Sequence, residues 1–449
     1  MSRRRRNPRA ERRPLISRPP IELDIDALAL DGRGVGHLDG KAVFVHGALP
    51  GERVRAALLG GRRRYDEAET IEILRASPRR VTPHCAHYGL CGGCSMQHLD
   101  AEMQVEAKQQ ALLDSLRRIG GVVPEKVLAP LAGPVWGYRR KARLGVRYVP
   151  QKGRVLIGFR ERQGRVLADL AGCEVLLPAV GRRFAALAGL IERLSVRDAL
   201  PQIEVVAGDE AICLVFRHLK PLSESDRECL RHFARESGFG VALQPGGSDT
   251  ITPLWPESQP LSYAQPDFGT HVAFHPGDFI QVNAEINRRM VPLALDLLEI
   301  TPGDRVLELF SGLGNFSLPL ARRGARVTAV EGDEAMVARA AANAVANGLG
   351  DSIIHAVANL MAPPEGATWL RADYDKLLLD PPRAGAREIL PYIGRLRPRR
   401  IVYVSCDPAT LARDAGELVH GQGYRLTAAG VMDMFPHTAH VESMALFVR

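Results

Sequence analysis

No stretch of this 449-residue chain stays apolar long enough to cross a bilayer, which excludes an α-helical membrane protein. The opening residues hold no apolar core behind a basic flank, so secretion is not expected and the cytoplasm is. Cysteine is scarce and odd in number, seven, with a spacing that builds no disulfide framework. Acidic charge falls short of basic charge, 51 Asp and Glu against 59 Lys and Arg, leaving a net +8. Arginine dominates that excess, and residues 1–13 concentrate it in Arg3, Arg4, Arg5, Arg6, Arg9, Arg12 and Arg13. Such an arm is too charged to pack, so it is expected to be disordered and to suit a phosphate backbone. A solubilising tail is the plainer alternative. The apolar fraction, 46%, is ordinary for a globular protein, and the length implies two or three domains.

Residues 14–76 read as short strands. Ile21–Ile25 alternates with period two, Gly34 and Gly36 punctuate a turn, and Asp39–Gly40 is a tight hairpin signal before Ala42–Val45. So many short strands close most naturally into a small β-barrel. The pattern of Gly34, Gly36, Asp39–Gly40–Lys41, Val43–Phe44–Val45 and Leu49–Pro50–Gly51–Glu52 resembles a TRAM domain, an OB-like RNA-binding barrel. Arg62, Arg63, Arg64 and Tyr65 add a basic-aromatic cluster suited to backbone contact and base stacking, against the plainer reading of a solvated face.

Residues 77–275 read as an α+β domain. Helical periodicity covers Val105–Ile119, apparent strands open at Tyr138–Arg143, with Arg147 and Tyr148 continuing a basic-aromatic theme, and strand-like runs recur at Val155–Phe159 and Ile203–Val206. Cys85, Cys91 and Cys94 lie close together around Gly92 and Gly93, with Cys173 further along. Glycines let a backbone wrap closely round a metal, and the spacing fits zinc or an iron–sulfur cluster equally well. Four unrelated thiols are a poor reading of the near triplet and a fair one of Cys173 alone. Cys213, in an apolar strand, and Cys229, in a helical segment, are expected to be inert.

From residue 276 to 449 strands and helices alternate. A helix over Gln281–Leu298 precedes strands at Arg305–Phe310, Val327–Val330, Ile353–Ala356, Lys376–Leu379 and Ile401–Val404. That order predicts a mostly parallel, doubly wound, Rossmann-like sheet, with ligands at the carboxyl ends of its strands. Gly312 and Gly314 lack a third glycine at the dinucleotide spacing, where Ser317 stands instead. This disfavours a nicotinamide or flavin dinucleotide and favours S-adenosylmethionine, whose ribose hydroxyls Glu331 is placed to bind. Asp380–Pro381–Pro382 completes a methyltransferase pattern. Arg383 stands where an amino-methyltransferase carries an aromatic residue, which tilts away from N-methylation.

Cys406, in Ser405–Cys406–Asp407–Pro408, sits at a strand exit. The C5 carbon of uracil is a poor nucleophile until a thiolate adds at C6, so a thiol beside a methyl donor suits pyrimidine C5 methylation. A base must then take the C5 proton, and His437, His440 and Glu442 are the nearby candidates. A buried, inert cysteine is the common alternative.

With those motifs in place, the chain from about residue 14 to its end resembles the RNA uracil-C5 methyltransferase family, most closely the TRAM-bearing iron–sulfur branch that modifies 23S rRNA. The resemblance implies Cys406 as nucleophile and Glu442 as base. It implies cofactor contacts at Gln281, Phe310, Asn315, Glu331, Asn359 and Asp380, and a [4Fe–4S] cluster on Cys85, Cys91, Cys94 and Cys173, with zinc the alternative. Pro382 departs from the alanine frequent in the ribosomal branch. The expected substrate is a flipped-out uridine of 23S rRNA. A tRNA uridine, a cytosine C5, or a non-catalytic RNA-binding iron–sulfur scaffold are the alternatives. A monomer without membrane or obligate protein partner is expected.

Overall fold

Alternation of apolar and polar residues closes Ile21–Leu28, Gly34–Leu38, Lys41–His46, Tyr65–Arg75 and Arg53–Gly61, in that spatial order, into a barrel. The computed structural model describes residues 19–164, 166–364 and 366–449, so the arm expected over 1–13 lies outside the described residues. Leu23, Ile25, Val43, Val45, Val54, Ala56, Leu58 and Ala68 point inward and fill the barrel. Asp39 and Gly40 both take positive φ, as a two-residue hairpin turn requires. Gly36 is needed for a different reason: a Cβ there would lie 2.4 Å from the Asp24 carbonyl oxygen on the neighbouring strand. Buried Glu52 keeps its charge because Arg80 pairs with it at 2.6 Å and the Leu49 and Ser77 amides donate to it.

This barrel, with Cys94–Ala107 and His437–Ala439, forms one unit; Leu90–Gly93, Lys108–Pro436 and His440–Arg449 form the other. In the second unit a six-stranded sheet runs in the order Thr252–Trp255, Gly240–Gln244, Ile212–Arg217, Gln202–Ala207, Lys141–Val149, Arg154–Gly158. It is antiparallel except where Ile212–Arg217 pairs with Gly240–Gln244 across the helix Glu224–Ser237. That helix carries Cys229, and starts at a capping box of Ser223 and Asp226. Cys213 is buried in its strand, and burial pushes its thiol up to about 12.

The third architecture is an eight-stranded sheet. Ile353–Val357, Arg326–Glu331, Arg305–Leu309, Lys376–Leu379 and Arg400–Ser405 are parallel, as the alternating pattern predicts. Two antiparallel strands, Glu442–Val448 and Arg425–Met432, then extend it, and the short strand Lys126–Val127 closes the edge. The hairpin Leu261–Gln265 and Thr270–Phe274 packs its Leu261, Tyr263, Val272 and Phe274 into the same apolar cluster as the helix Ala284–Leu298.

Two helix expectations need correction. The helix expected over Val105–Ile119 begins earlier, at Ala101, and widens after Ser115 into a π turn over Leu116–Gly120. The helix expected from Gln281 begins at Ala284, because the Asn283 side chain accepts from the Ile286 amide as an N-cap. Gln281 and Val282 instead give their carbonyls to Arg140. Among the described residues no helix is long and apolar enough to cross a membrane.

Candidate active site

The strand Arg305–Leu309 ends in a loop whose turns need positive φ at Phe310, Gly312 and Gly314. The Phe310 and Ser311 amides donate to the Val330 carbonyl, which turns the chain back over the sheet edge. At the end of the next strand, the Glu331 carboxylate accepts from the Gly312 amide at 3.1 Å and the Gly332 amide at 2.7 Å. Its side chain is thereby fixed at the mouth of the loop. Asn315 is held as firmly: its Oδ1 accepts from Tyr263 Oη at 2.9 Å, Gln265 Nε2 at 3.1 Å and Asn287 Nδ2 at 3.0 Å. Asn359 accepts from the Met361 amide at 3.0 Å.

Cys406 owes its place to the residues after it. The Asp407 side chain accepts from the Ala409 and Thr410 amides, and Pro408 occupies the first turn of the helix Pro408–Gly416. The chain therefore leaves the strand Arg400–Ser405 and enters a helix within two residues, leaving the thiol at the corner. Ser405 pairs with Ser443 in the antiparallel register, so the residue after Ser405 faces the residue before Ser443. Those residues are Cys406 and Glu442.

Gln281, Phe310, Asn315, Glu331, Asn359, Asp380, Cys406 and Glu442 all line one cavity of about 470 Å³. Its electrostatics are acidic. Burial pushes Asp380 up to about 7. Burial, then the Asp380 charge, push Glu442 up to about 8, with Arg383 opposing. Burial, then Glu442 and Asp380, push the Cys406 thiol up to about 11. Glu308, beneath the loop and bonded to the Ser317 hydroxyl, is buried and pushed up to about 8. A concave site with several displaced carboxyl groups beside a thiol can bind a cation and carry out covalent and proton-transfer chemistry.

Residues 267–449 match the family model described as tRNA (Uracil-5-)-methyltransferase, and residues 20–71 match the TRAM domain. A 23S rRNA (uracil(1939)-C(5))-methyltransferase RlmD from Alkalilimnicola ehrlichii is 56% identical, covering 98% of this chain and 98% of its own length. The chain belongs to the RlmD family. Another RlmD, from Xanthomonas euvesicatoria, is 52% identical over 98% of this chain and all of its own length. Among solved structures, the Pyrococcus abyssi tRNA (uracil-54, C5)-methyltransferase in complex with S-adenosyl-L-homocysteine is similar, with a TM-score of 0.72 and 25% identity. That match covers 95% of this chain and 99% of the other.

In this member of the RlmD family the other base candidates sit differently. His440 faces Arg383, whose Nη2 lies 3.0 Å from its Nδ1, and burial and Arg383 hold its ring below the ordinary histidine value. His437 lies in the barrel unit, where Gln104 reaches its ring at 3.2 Å. The expected metal ligands divide: Cys85 and Cys94 are half-buried in the barrel unit, whereas Cys91 and Cys173 pack against the apolar cluster of the central sheet. The Gly93 amide donates to Cys91 Sγ at 3.4 Å. Among the described residues no group of three or more His, Cys, Asp or Glu side chains is placed to hold a metal ion. Sequence reasoning passed over Tyr263, Gln265 and Asn287, which orient Asn315, and Phe279, an aromatic ring 66% exposed at the cavity wall. An apolar ring placed just ahead of Gln281 was the available signal for Phe279.

Proposed function

We propose that the chain methylates C5 of a uridine in 23S rRNA, as the names of its relatives describe for them. The observation that carries this is the convergence of Cys406, Glu442 and the glycine-loop residues on one cavity. S-adenosylmethionine supplies the methyl group and, as a sulfonium cation, favours the ionised forms of the carboxyl groups around it. Gln281, Phe310, Asn315, Glu331, Asn359 and Asp380 are its assigned contacts. The Cys406 thiolate adds to C6 of the uracil, and the electron pair displaced from the C5–C6 double bond makes C5 nucleophilic. C5 takes the methyl group as the methyl–sulfur bond of the donor breaks and leaves the neutral thioether, S-adenosylhomocysteine; the Glu442 carboxylate then removes the C5 proton, the double bond reforms, and the Cys406 sulfur leaves. Burial holds the Cys406 thiol at about 11 and the Glu442 acid at about 8, so a positive charge in the cavity would help each to ionise.

RNA reaches this site with help from the barrel at 14–76 and the α+β region at 77–275, ahead of the methyltransferase domain at 276–449. On the barrel, Arg33 lies 4.6 Å from the Phe44 ring, Phe44 meets Tyr65 edge-on at 5.3 Å, and Arg62 approaches Tyr65. Such a strip of rings and guanidinium groups suits unstacked bases. A [4Fe–4S] cluster on Cys85, Cys91, Cys94 and Cys173 is assigned a supporting role in folding and RNA binding, outside the reaction; zinc is the alternative. The ligand spacing and the Gly93 donor to Cys91 suit thiolate ligands of either centre, and the resemblance to the iron–sulfur branch favours the cluster. Iron and sulfide in protein purified without oxygen, lost with Cys91→Ser, are the expected analysis; zinc alone contradicts the cluster. The enzyme is assigned to the cytoplasm as a monomer.

A 23S rRNA fragment carrying 5-fluorouridine tests the chemistry, because fluorine cannot leave as a proton does. A complex stable to denaturation is expected with wild type and none with Cys406→Ala. Trapping on tRNA but not on 23S rRNA moves the substrate to tRNA. Trapping on neither supports a non-catalytic RNA-binding scaffold.

A further inference from the structure

Arg140 is 3% exposed, yet its ion pair with Asp209 is long, 3.7 Å, with no hydrogen bond between them. Its guanidinium carbon lies 4.6 Å from the centre of the Tyr263 ring, and Oδ1 of Asp209 is 3.7 Å from its Nη1, while the other oxygen of that carboxylate pairs with Arg288 at 2.8 Å. Among the described residues neither Nη atom has a hydrogen-bond partner. Nε donates to the Gln281 carbonyl at 2.8 Å, and the Arg140 amide donates to the Val282 carbonyl at 3.0 Å. The Arg140 carbonyl accepts from the Ala207 amide on the central sheet at 2.9 Å. One residue thus grips the segment that carries Gln281 at two points and anchors it to a strand.

A buried cation is expensive to keep where an apolar side chain would fill the space. What Arg140 holds explains its presence. The Tyr263 ring lies against its guanidinium face, and burial keeps the Tyr263 hydroxyl neutral and able to donate to Asn315 Oδ1. Gln265 Nε2 also donates to the Asn315 carbonyl at 2.7 Å, and Asn287 exchanges amide hydrogen bonds with the Asn315 side chain. Tyr263, Gln281 and Asn315 all face the cavity, whereas Arg140 stands behind them.

We infer that Arg140 is a positioning residue for the cofactor half of the site: it sets the Gln281 segment and, through the Tyr263 ring, the orientation of Asn315. The inference rests on the assignment of this cavity to S-adenosylmethionine. Loss of Arg140 then weakens cofactor binding while leaving the Cys406–Glu442 pair in place.

The test compares wild type, Arg140→Met, Arg140→Lys and Tyr263→Phe by titration with S-adenosylmethionine and with S-adenosylhomocysteine, and by steady-state methylation of 23S rRNA. Arg140→Met is expected to raise the KM and Kd for S-adenosylmethionine tenfold or more, with kcat at saturation and the KM for RNA unchanged. Arg140→Lys, which cannot place a planar donor on both Gln281 and the ring, is expected to recover little. Tyr263→Phe keeps the ring but loses the bond to Asn315, so a smaller rise in the same direction is expected; it also stands in if Arg140→Met does not fold. Unchanged cofactor affinity in a folded Arg140→Met, or in Tyr263→Phe, overturns the inference. A fall in kcat with KM unchanged also overturns it. A wild type that binds neither compound overturns the cofactor assignment instead.

Discussion

Replacing Glu442 with glutamine is expected to abolish turnover and, at alkaline pH, to stabilise the fold. Glu442 titrates at about 8 in the folded protein against an ordinary 4.5, chiefly because it is buried and faces Asp380. At about 1.4 kcal/mol for each tenfold change in proton affinity, the ionised carboxylate carries a penalty of about 5 kcal/mol at most. The Glu442 carboxyl is withdrawn from water while the residue as a whole keeps some exposure, and solvent screening reduces this to about 2 kcal/mol. Between 4.5 and 8 the folded state holds a proton that the unfolded chain has released, so stability falls as pH rises, and the loss is complete above about 8. Glutamine has the shape of the neutral acid and never ionises. Glu442→Gln should therefore melt with wild type at pH 5 and about 2 °C above it at pH 9. Thermal denaturation followed by circular dichroism at both pH values measures this. A difference in Tm that does not change with pH would refute the reasoning.

The Cys406 thiol, held at about 11, should react slowly with iodoacetamide at pH 7.5 and about tenfold faster for each pH unit above, with Cys406→Ala as the blank; a plateau near pH 8.5 contradicts this. Asp380→Asn removes one of the charges that raise it and should speed that alkylation. Lys108 and Asp433 form an ion pair of 2.6 Å with both side chains at most 3% exposed, so Lys108→Met should cost about 3–5 kcal/mol in urea denaturation by stranding a buried carboxylate. Adding Asp433→Leu should recover most of that loss. Gly36→Ala should destabilise the barrel by about 1–3 kcal/mol, because the new methyl meets the Asp24 carbonyl, and proteolysis of the barrel reads this out.

Much of the site was legible because its chemistry sits where strands end. Phe310, Asp380 and Cys406 each follow a strand, and Glu331 ends one, that period and flanking residues reveal. The Asp407 cap and Pro408 announce the corner that presents Cys406. Glu442 could be named from its motif, but its position opposite Cys406 depends on an antiparallel register between strands far apart in sequence. No local signal encodes that register. The same holds for Lys126–Val127, whose two residues carry no period and become a strand only by pairing with Arg425–Met432. Gln281 was placed on a helix because the apolar pattern runs into it; the competing signal was Asn283, a residue favoured at caps. Arg140 looked like one more basic residue in Arg139–Arg140–Lys141, and its burial under Tyr263 follows from tertiary packing alone.

If Cys406 and the cavity around it methylate uridine C5 in 23S rRNA, the thiol is indispensable to the product. The direct measurement is transfer of labelled methyl from S-adenosylmethionine to 23S rRNA from cells lacking this modification, with the product nucleoside identified and Cys406→Ala alongside. One labelled 5-methyluridine in 23S rRNA is expected with wild type and none with the variant. Label that persists in Cys406→Ala, or that appears on an atom other than uridine C5, would contradict it.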